Sequence, residues 1–207
     1  IHDRVMAFSL SVERSSLPGI IEVVPTYRSA TIYFDPILIQ AEALEQRLKA
    51  LIHSLPLGTS SASRTVDIPV LYGGECGPDL SDVAAFATCS PDEVIALHTS
   101  VEYRVYMLGF SPGFPYMGPV PDKIAMPRLA TPRVRVAAGS VGVAGSQTGI
   151  YPLDSPGGWR LLGRTPLQLY DPAWPDPFLL SPNDRVRFVA IDQRTYEDLR
   201  RQSKNTK

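Results

Sequence analysis

Cysteine is nearly absent from this sequence: Cys76 and Cys89 are the only two among 207 residues, and neither sits in a CxxC or CxxH spacing. A secreted disulfide scaffold shows a denser cysteine framework and a structural zinc site shows clustered ligands. Two isolated thiols therefore point to a reducing cytoplasm and away from zinc. Histidine is as scarce. His2, His53 and His98 lie far apart, so no metal-ligand cluster is expected. Excess charge of either sign is also missing. Lys and Arg number 20 against 21 Asp and Glu, for a formal net charge of -1 and a pI of about 6.3, which leaves no electrostatic footprint for nucleic acid or an anionic membrane. No run approaches the roughly 18 apolar residues that a spanning helix needs, and no leader with a charged then an apolar region is expected at the front. The motifs G-x-x-x-x-G-K-[ST], G-x-S-x-G and H-E-x-x-H do not occur, which removes a Walker-type nucleotide site, a hydrolase elbow and a zinc peptidase helix.

What is present is an ordinary globular composition, 44% hydrophobic and 20% charged, in a chain long enough for one large or two small domains. Val5, Phe8 and Val12 recur at helical spacing until Ser15 to Gly19 stops them. The β-branched and aromatic runs 20–24 and 30–34 flank Pro25 to Arg28 and predict a hairpin. Asp35-Pro36 predicts the start of a second helix, whose apolar stripe is Ala41, Leu44, Leu48, Leu51, Ile52 and Leu55. Helix, strand, strand, helix is the middle of a split β-α-β unit, so residues 1–63 read as a ferredoxin-like α+β domain with its first strand missing. The small polar run 58–63 predicts the domain boundary.

From residue 64 onward the pattern changes. After a strand over 65–72, which could pair with either domain, Asp79-Leu80-Ser81-Asp82 and Ser90-Pro91-Asp92-Glu93 each place a capping side chain three residues before an acid, predicting two short helices. Alternation over 101–108 predicts a strand that delivers the turn Gly109 to Gly113. Short strands with frequent turns follow to Phe188 and predict an all-β barrel domain over 64–207, ending in a short charged helix. His98 to Pro166 concentrates glycine, proline, aromatics and arginine, a composition of ordered loops. Its glycines at 139, 142, 145 and 149 either turn a compact barrel or present backbone N–H groups to an anion. His98 either fills a helix end or, with an ordinary pKa near 6.5, transfers protons at a barrel mouth. Arg128, Arg133 and Arg164 are either solvated singly or hold a carboxylate or phosphate. The loops 110–116, 139–149 and 155–165 are expected to converge on one pocket.

The segments GFSPGFPYM (109–117), PR (127–128), GSVGVAGSQTGIYP (139–152), SPGGWRLLGRTP (155–166) and YGGECGPDL (72–80) resemble the 5-oxoprolinase B-subunit family. The likeness runs over roughly residues 5 to 195. That family also holds an inhibitor of a sporulation histidine kinase and allophanate-hydrolase subunit 1, and is related to part of the carboxyltransferase domain of urea carboxylase. Cys76, Pro119 and Ala137 depart from its pattern in the loops.

The resemblance implies a cyclophilin-like barrel and an ATP-dependent opening of 5-oxo-L-proline to L-glutamate. It implies A-type and C-type (carboxyltransferase-like) subunits as partners, with ATP as co-substrate of the assembled complex and no activity of this chain alone. Two other functions stay open: a module that inhibits a sensor histidine kinase, and a urea carboxylase or allophanate hydrolase component. Loop composition and resemblance together nominate His98 and Arg164 as catalytic. They nominate Phe110, Pro112, Gly113, Phe114, Tyr116, Arg128, Arg133, Ser140, Gln147, Tyr151, Gly157, Gly158 and Trp159 as substrate-binding.

Overall fold

The computed structural model describes residues 1–55 and 63–205. The chain divides into two compact units, Ile1–Ser63 and Arg64–Lys207. The polar run 58–63, expected to carry the boundary, lies outside the described residues apart from Ser63.

In the first unit, helix α1 (His2–Arg14) buries Val5, Met6 and Val12, which recur at helical spacing, and packs against the hairpin and the second helix. The hairpin pairs β1 (Ile20–Pro25) with β2 (Ala30–Phe34), Val23 facing Ile32, and Thr26 and Ser29 close the turn through their backbone and hydroxyls. Helix α2 (Ala41–Ser54) begins later than Asp35-Pro36 predicts. The Asp35 carboxylate accepts from the Ile37 backbone N–H at 2.8 Å and closes a local turn, so the helix starts beyond it without a side-chain cap. A ferredoxin-like sheet has four strands. The described residues of this unit supply two.

The second unit is a closed barrel in which β3 (Thr65–Tyr72) stands between β10 (Arg160–Arg164) and β11 (Arg185–Ala190). The circuit continues from β11 through β4 (Glu102–Leu108), β5 (Pro115–Gly118), β8 (Gln147–Ile150) and β7 (Ser140–Ala144) back to β10. Only the β3–β11 pair is parallel; the other ladders are antiparallel. Alternate residues point inward, as the period of two requires, and Ile68, Val70, Tyr103, Val105, Met117, Val141, Val143, Leu162, Val186 and Phe188 form the interior. Helix α3 (Leu80–Ala87) packs on β10, and α4 (Pro91–Thr99) packs on α3 and β11.

The Ser90 capping box forms as its spacing predicts. The Ser90 hydroxyl accepts from the Glu93 N–H and the Glu93 carboxylate accepts from the Ser90 N–H. Asp79 is different. It sits at the N-cap of α3 yet makes no capping bond, because its carboxylate is drawn into the packing described below. One strand pair stands outside the barrel: β6 (Arg133–Val136) pairs with β9 (Ser155–Gly157) in a separate two-stranded sheet. Helix α5 (Gln193–Asn205) closes the chain. No helix among the described residues is long and apolar enough to cross a membrane.

Candidate functional site

The β4–β5 turn reverses through Gly109 to Gly113, pinned by the Gly109 N–H to the Phe114 carbonyl and the Phe114 N–H to the Ser111 carbonyl. Phe110 in this turn has φ of 65°, a left-handed conformation costly to a bulky residue, and its ring is 64% exposed. Packing does not account for holding an apolar ring toward solvent on a strained backbone. Beneath it, Phe114 is the hub of an aromatic cluster. Tyr116, Tyr151 and Trp159 meet it edge to face at centroid distances of 4.9, 5.2 and 5.3 Å, and Phe110 does so at 5.6 Å.

These rings wall a cavity of about 250 Å³, completed by Pro132, Pro156, Gly157, Gly158 and Arg128. The Arg128 guanidinium stands 5.9 Å from the centre of the Trp159 ring, within the range at which a cation is attracted to an indole face. Gly157 is required by contact: a Cβ there would lie 2.3 Å from the Tyr151 hydroxyl. Burial raises the Tyr151 pKa, so its hydroxyl keeps its proton at neutral pH. The walls therefore offer flat apolar faces, a hydroxyl donor and one cation. Among the described residues, they contain no carboxylate or imidazole to act as a general base.

Eight of the nominated residues thus come together: Phe110, Phe114, Tyr116, Arg128, Tyr151, Gly157, Gly158 and Trp159. The others go elsewhere, and each placement has a physical reason. His98 does not reach a barrel mouth; it is fully buried inside the barrel, stacked on Phe188 at 4.5 Å. Thr148 Oγ1 donates to the Gly142 carbonyl and so accepts from His98 Nε2–H at 3.0 Å. The remaining ring nitrogen, Nδ1, then accepts from the Tyr72 hydroxyl at 2.8 Å. Burial drives the His98 pKa down to about 3, and the neutral ring is one link in a hydrogen-bonded chain across the core.

Arg133 is no free anion ligand either. Its guanidinium donates to Asp79 Oδ1 at 2.6 Å, while Asp79 Oδ2 accepts from the Leu161 backbone N–H at 2.7 Å. This carboxylate, only 4% exposed, ties the entrance of α3 to β6 and β10.

Ser140 is buried in β7, paired with Arg164 of β10. Gln147 starts β8 opposite Ala144. Pro112 is exposed at the turn, and Gly113, at φ of 79°, backs onto Tyr170 and Phe178. Arg164 lines a separate cavity that shares no residue with the aromatic one. Sequence reasoning missed Pro132, whose only signal was proline beside the loop arginines, and reached Pro156 only as part of the loop 155–165. It also missed Asp79, whose position before a helix reads as a cap.

A family model described as carboxyltransferase domain, subdomain C and D, matches residues 1–180. The chain is 42% identical to the 5-oxoprolinase B-subunit of Bacillus subtilis, over 96% of this chain and 87% of that one. It is 47% identical to that of Escherichia coli O157:H7, over 84% of this chain and 79% of the relative. Among solved structures, TTHA0988 matches 92% of this chain at 43% identity with a TM-score of 0.81. The match spans 37% of TTHA0988, so this chain corresponds to little more than a third of that protein. PH0987 of Pyrococcus horikoshii matches 95% of this chain and 90% of its own at 43% identity and a TM-score of 0.63. The Kluyveromyces lactis urea amidolyase shares the fold over 99% of this chain, 14% of its own, with a TM-score of 0.82 at 22% identity. By sequence and by barrel, this chain belongs to the 5-oxoprolinase B-subunit family.

Proposed function

We propose that this chain is the B component of an ATP-dependent 5-oxoprolinase, acting in the cytoplasm with A-type and C-type subunits, and that its aromatic cavity receives 5-oxo-L-proline. The observation that carries the reading is the pairing of flat apolar walls with a single cation, Arg128, in a cavity of about 250 Å³. A five-membered lactam has two faces to stack on rings and one carboxylate to satisfy a guanidinium. The helix–hairpin–helix unit is read as the middle of a ferredoxin-like domain, and the barrel as cyclophilin-like.

Opening the lactam is uphill without coupling. Transfer of the ATP γ-phosphoryl group to the lactam oxygen makes the ring carbon electrophilic and releases ADP. Water then adds to that carbon and the C–N bond breaks, its electron pair and a proton going to the freed amine. A second water cleaves the resulting acyl phosphate to give glutamate and phosphate. The aromatic cavity holds no base for the first water and the chain holds no Walker motif, so both are assigned to the partner subunits.

In the reconstituted complex, Arg128→Gln should lower ATP-dependent 5-oxoproline turnover by about 10- to 150-fold, the loss of one charge-assisted bond. Its melting temperature should hold, because Arg128 is exposed and removing an exposed side chain costs within about ±0.5 kcal/mol. The isolated chain should turn over nothing. Turnover by the chain alone would overturn the assignment of the base and the ATP site to the partner subunits, and an unaltered rate in the Arg128 variant would remove the cavity from the reaction.

A further inference from the structure

The second cavity, of about 400 Å³, has a different chemistry. Three guanidinium groups line it, those of Arg135, Arg164 and Arg200, against one carboxylate, Asp154. That carboxylate is already committed, accepting from Arg135 Nε at 2.9 Å and from the Ala138 backbone N–H at 2.8 Å. Among the described residues, neither Arg164 nor Arg200 has an acid within salt-bridge reach; Arg164 hydrogen-bonds to the Tyr196 hydroxyl and feels the Asp154 carboxylate at longer range, and its buried Nε has no hydrogen-bond partner. Arg164 and Arg200 therefore bring positive charge to this cavity that no carboxylate neutralises by direct pairing, which suits an anionic ligand.

The rest of the lining fits that reading. Gly139, at φ of 81°, lets two backbone segments of the lining close on each other, since a Cβ there would stand 2.4 Å from the Thr165 carbonyl oxygen. Tyr196 of α5 brings a hydroxyl beside Arg164, and burial raises its pKa, so it remains a donor at neutral pH. Pro152, Pro166 and Leu167 add apolar wall. The volume lies within the usual 300–1,000 Å³ or so of small-molecule sites, more than an inorganic ion fills.

We infer that this cavity binds a small organic oxyanion, its phosphate or carboxylate held by Arg164 and Arg200 beside the Tyr196 hydroxyl. The site is separate from the aromatic cavity and does not depend on the lactam binding there. The two are nonetheless adjacent along the chain. Pro152 and Asp154 line the oxyanion cavity while Pro156 to Trp159 line the aromatic one, so one short segment borders both.

Isothermal titration of the whole chain with pyrophosphate and, separately, with glutarate tests the assignment. Saturable binding of at least one probe is expected, weakened by about tenfold or more in Arg164→Gln and in Arg200→Gln, as loss of one charge-assisted bond requires. Arg201→Gln, a neighbouring exposed arginine paired with Asp198 and outside the cavity, should bind as the parent does. Preference for pyrophosphate assigns a phosphorylated ligand and preference for glutarate a carboxylated one. Should Arg164→Gln fail to fold, exposed Arg200 carries the test alone. No saturable binding of either probe, or an equal loss in Arg201→Gln, overturns the proposal.

Discussion

Acidification below pH 6.5 should destabilise the barrel steeply, and His98→Gln should remove much of that dependence. In the folded protein His98 takes up a proton only near pH 3, whereas the unfolded chain takes one up near the ordinary value of 6.5. Between those values the unfolded state binds the extra proton, so stability falls as pH falls, by about 1.4 kcal/mol per pH unit. At pH 5 the loss is about 2 kcal/mol, a large share of the 5–15 kcal/mol or so of a typical domain. Urea unfolding of parent and His98→Gln from pH 7.5 to 5.0 isolates the residue, since every other group contributes equally to both. Parallel curves would show that His98 is solvated or charged in the native state and that the hydrogen-bonded chain through Tyr72 and Thr148 does not persist in solution.

Asp79→Ala should cost about 3–5 kcal/mol, the range for removing one partner of a buried ion pair. Two groups lose their acceptor together. The Leu161 N–H is left buried, and the Arg133 guanidinium, 28% exposed, keeps a charge with nothing opposite it. Replacing both partners, as in Asp79→Ala with Arg133→Met, should recover part of the loss because the unpaired charge goes with the arginine. Denaturant midpoints of the two single variants and the double variant measure that coupling. If Asp79→Ala cost no more than an ordinary helix cap, about 1 kcal/mol, the carboxylate would be acting at α3 alone and the tie to β6 and β10 would be wrong.

The strands of the barrel were legible wherever local chemistry and tertiary role agree. The alternation over 101–108, the strand over 65–72 and the Ser90 capping box all report facts settled within a few residues. Asp79 and Arg133 show the limit. Aspartate before a helix is a cap by any local rule, and only the fold brings an arginine 54 residues away within 2.6 Å to claim it. His98 shows the same limit from the other side: a polar residue at a helix end reads as exposed until Tyr72 and Thr148 supply partners from distant strands. Loop composition and family resemblance together named eight of the residues that line the aromatic cavity, because these come from a few nearby loops. Composition merged that cavity with a second one because arginine looks alike in sequence whether it is paired, solvated or waiting for an anion.

The parallel pairing of β3 with β11 has a consequence for biosynthesis. Asp67 and Arg187 face each other across that ladder from positions 120 residues apart, so the barrel cannot close until its last strand has been made. Through most of synthesis, β3 has an unpaired edge, and it carries alternating apolar residues suited to pair with any passing strand. Contacts of such long range also slow folding once the chain is complete. Premature termination before Arg185 therefore leaves a chain with an open apolar sheet, a target for chaperones and for aggregation rather than a smaller working domain.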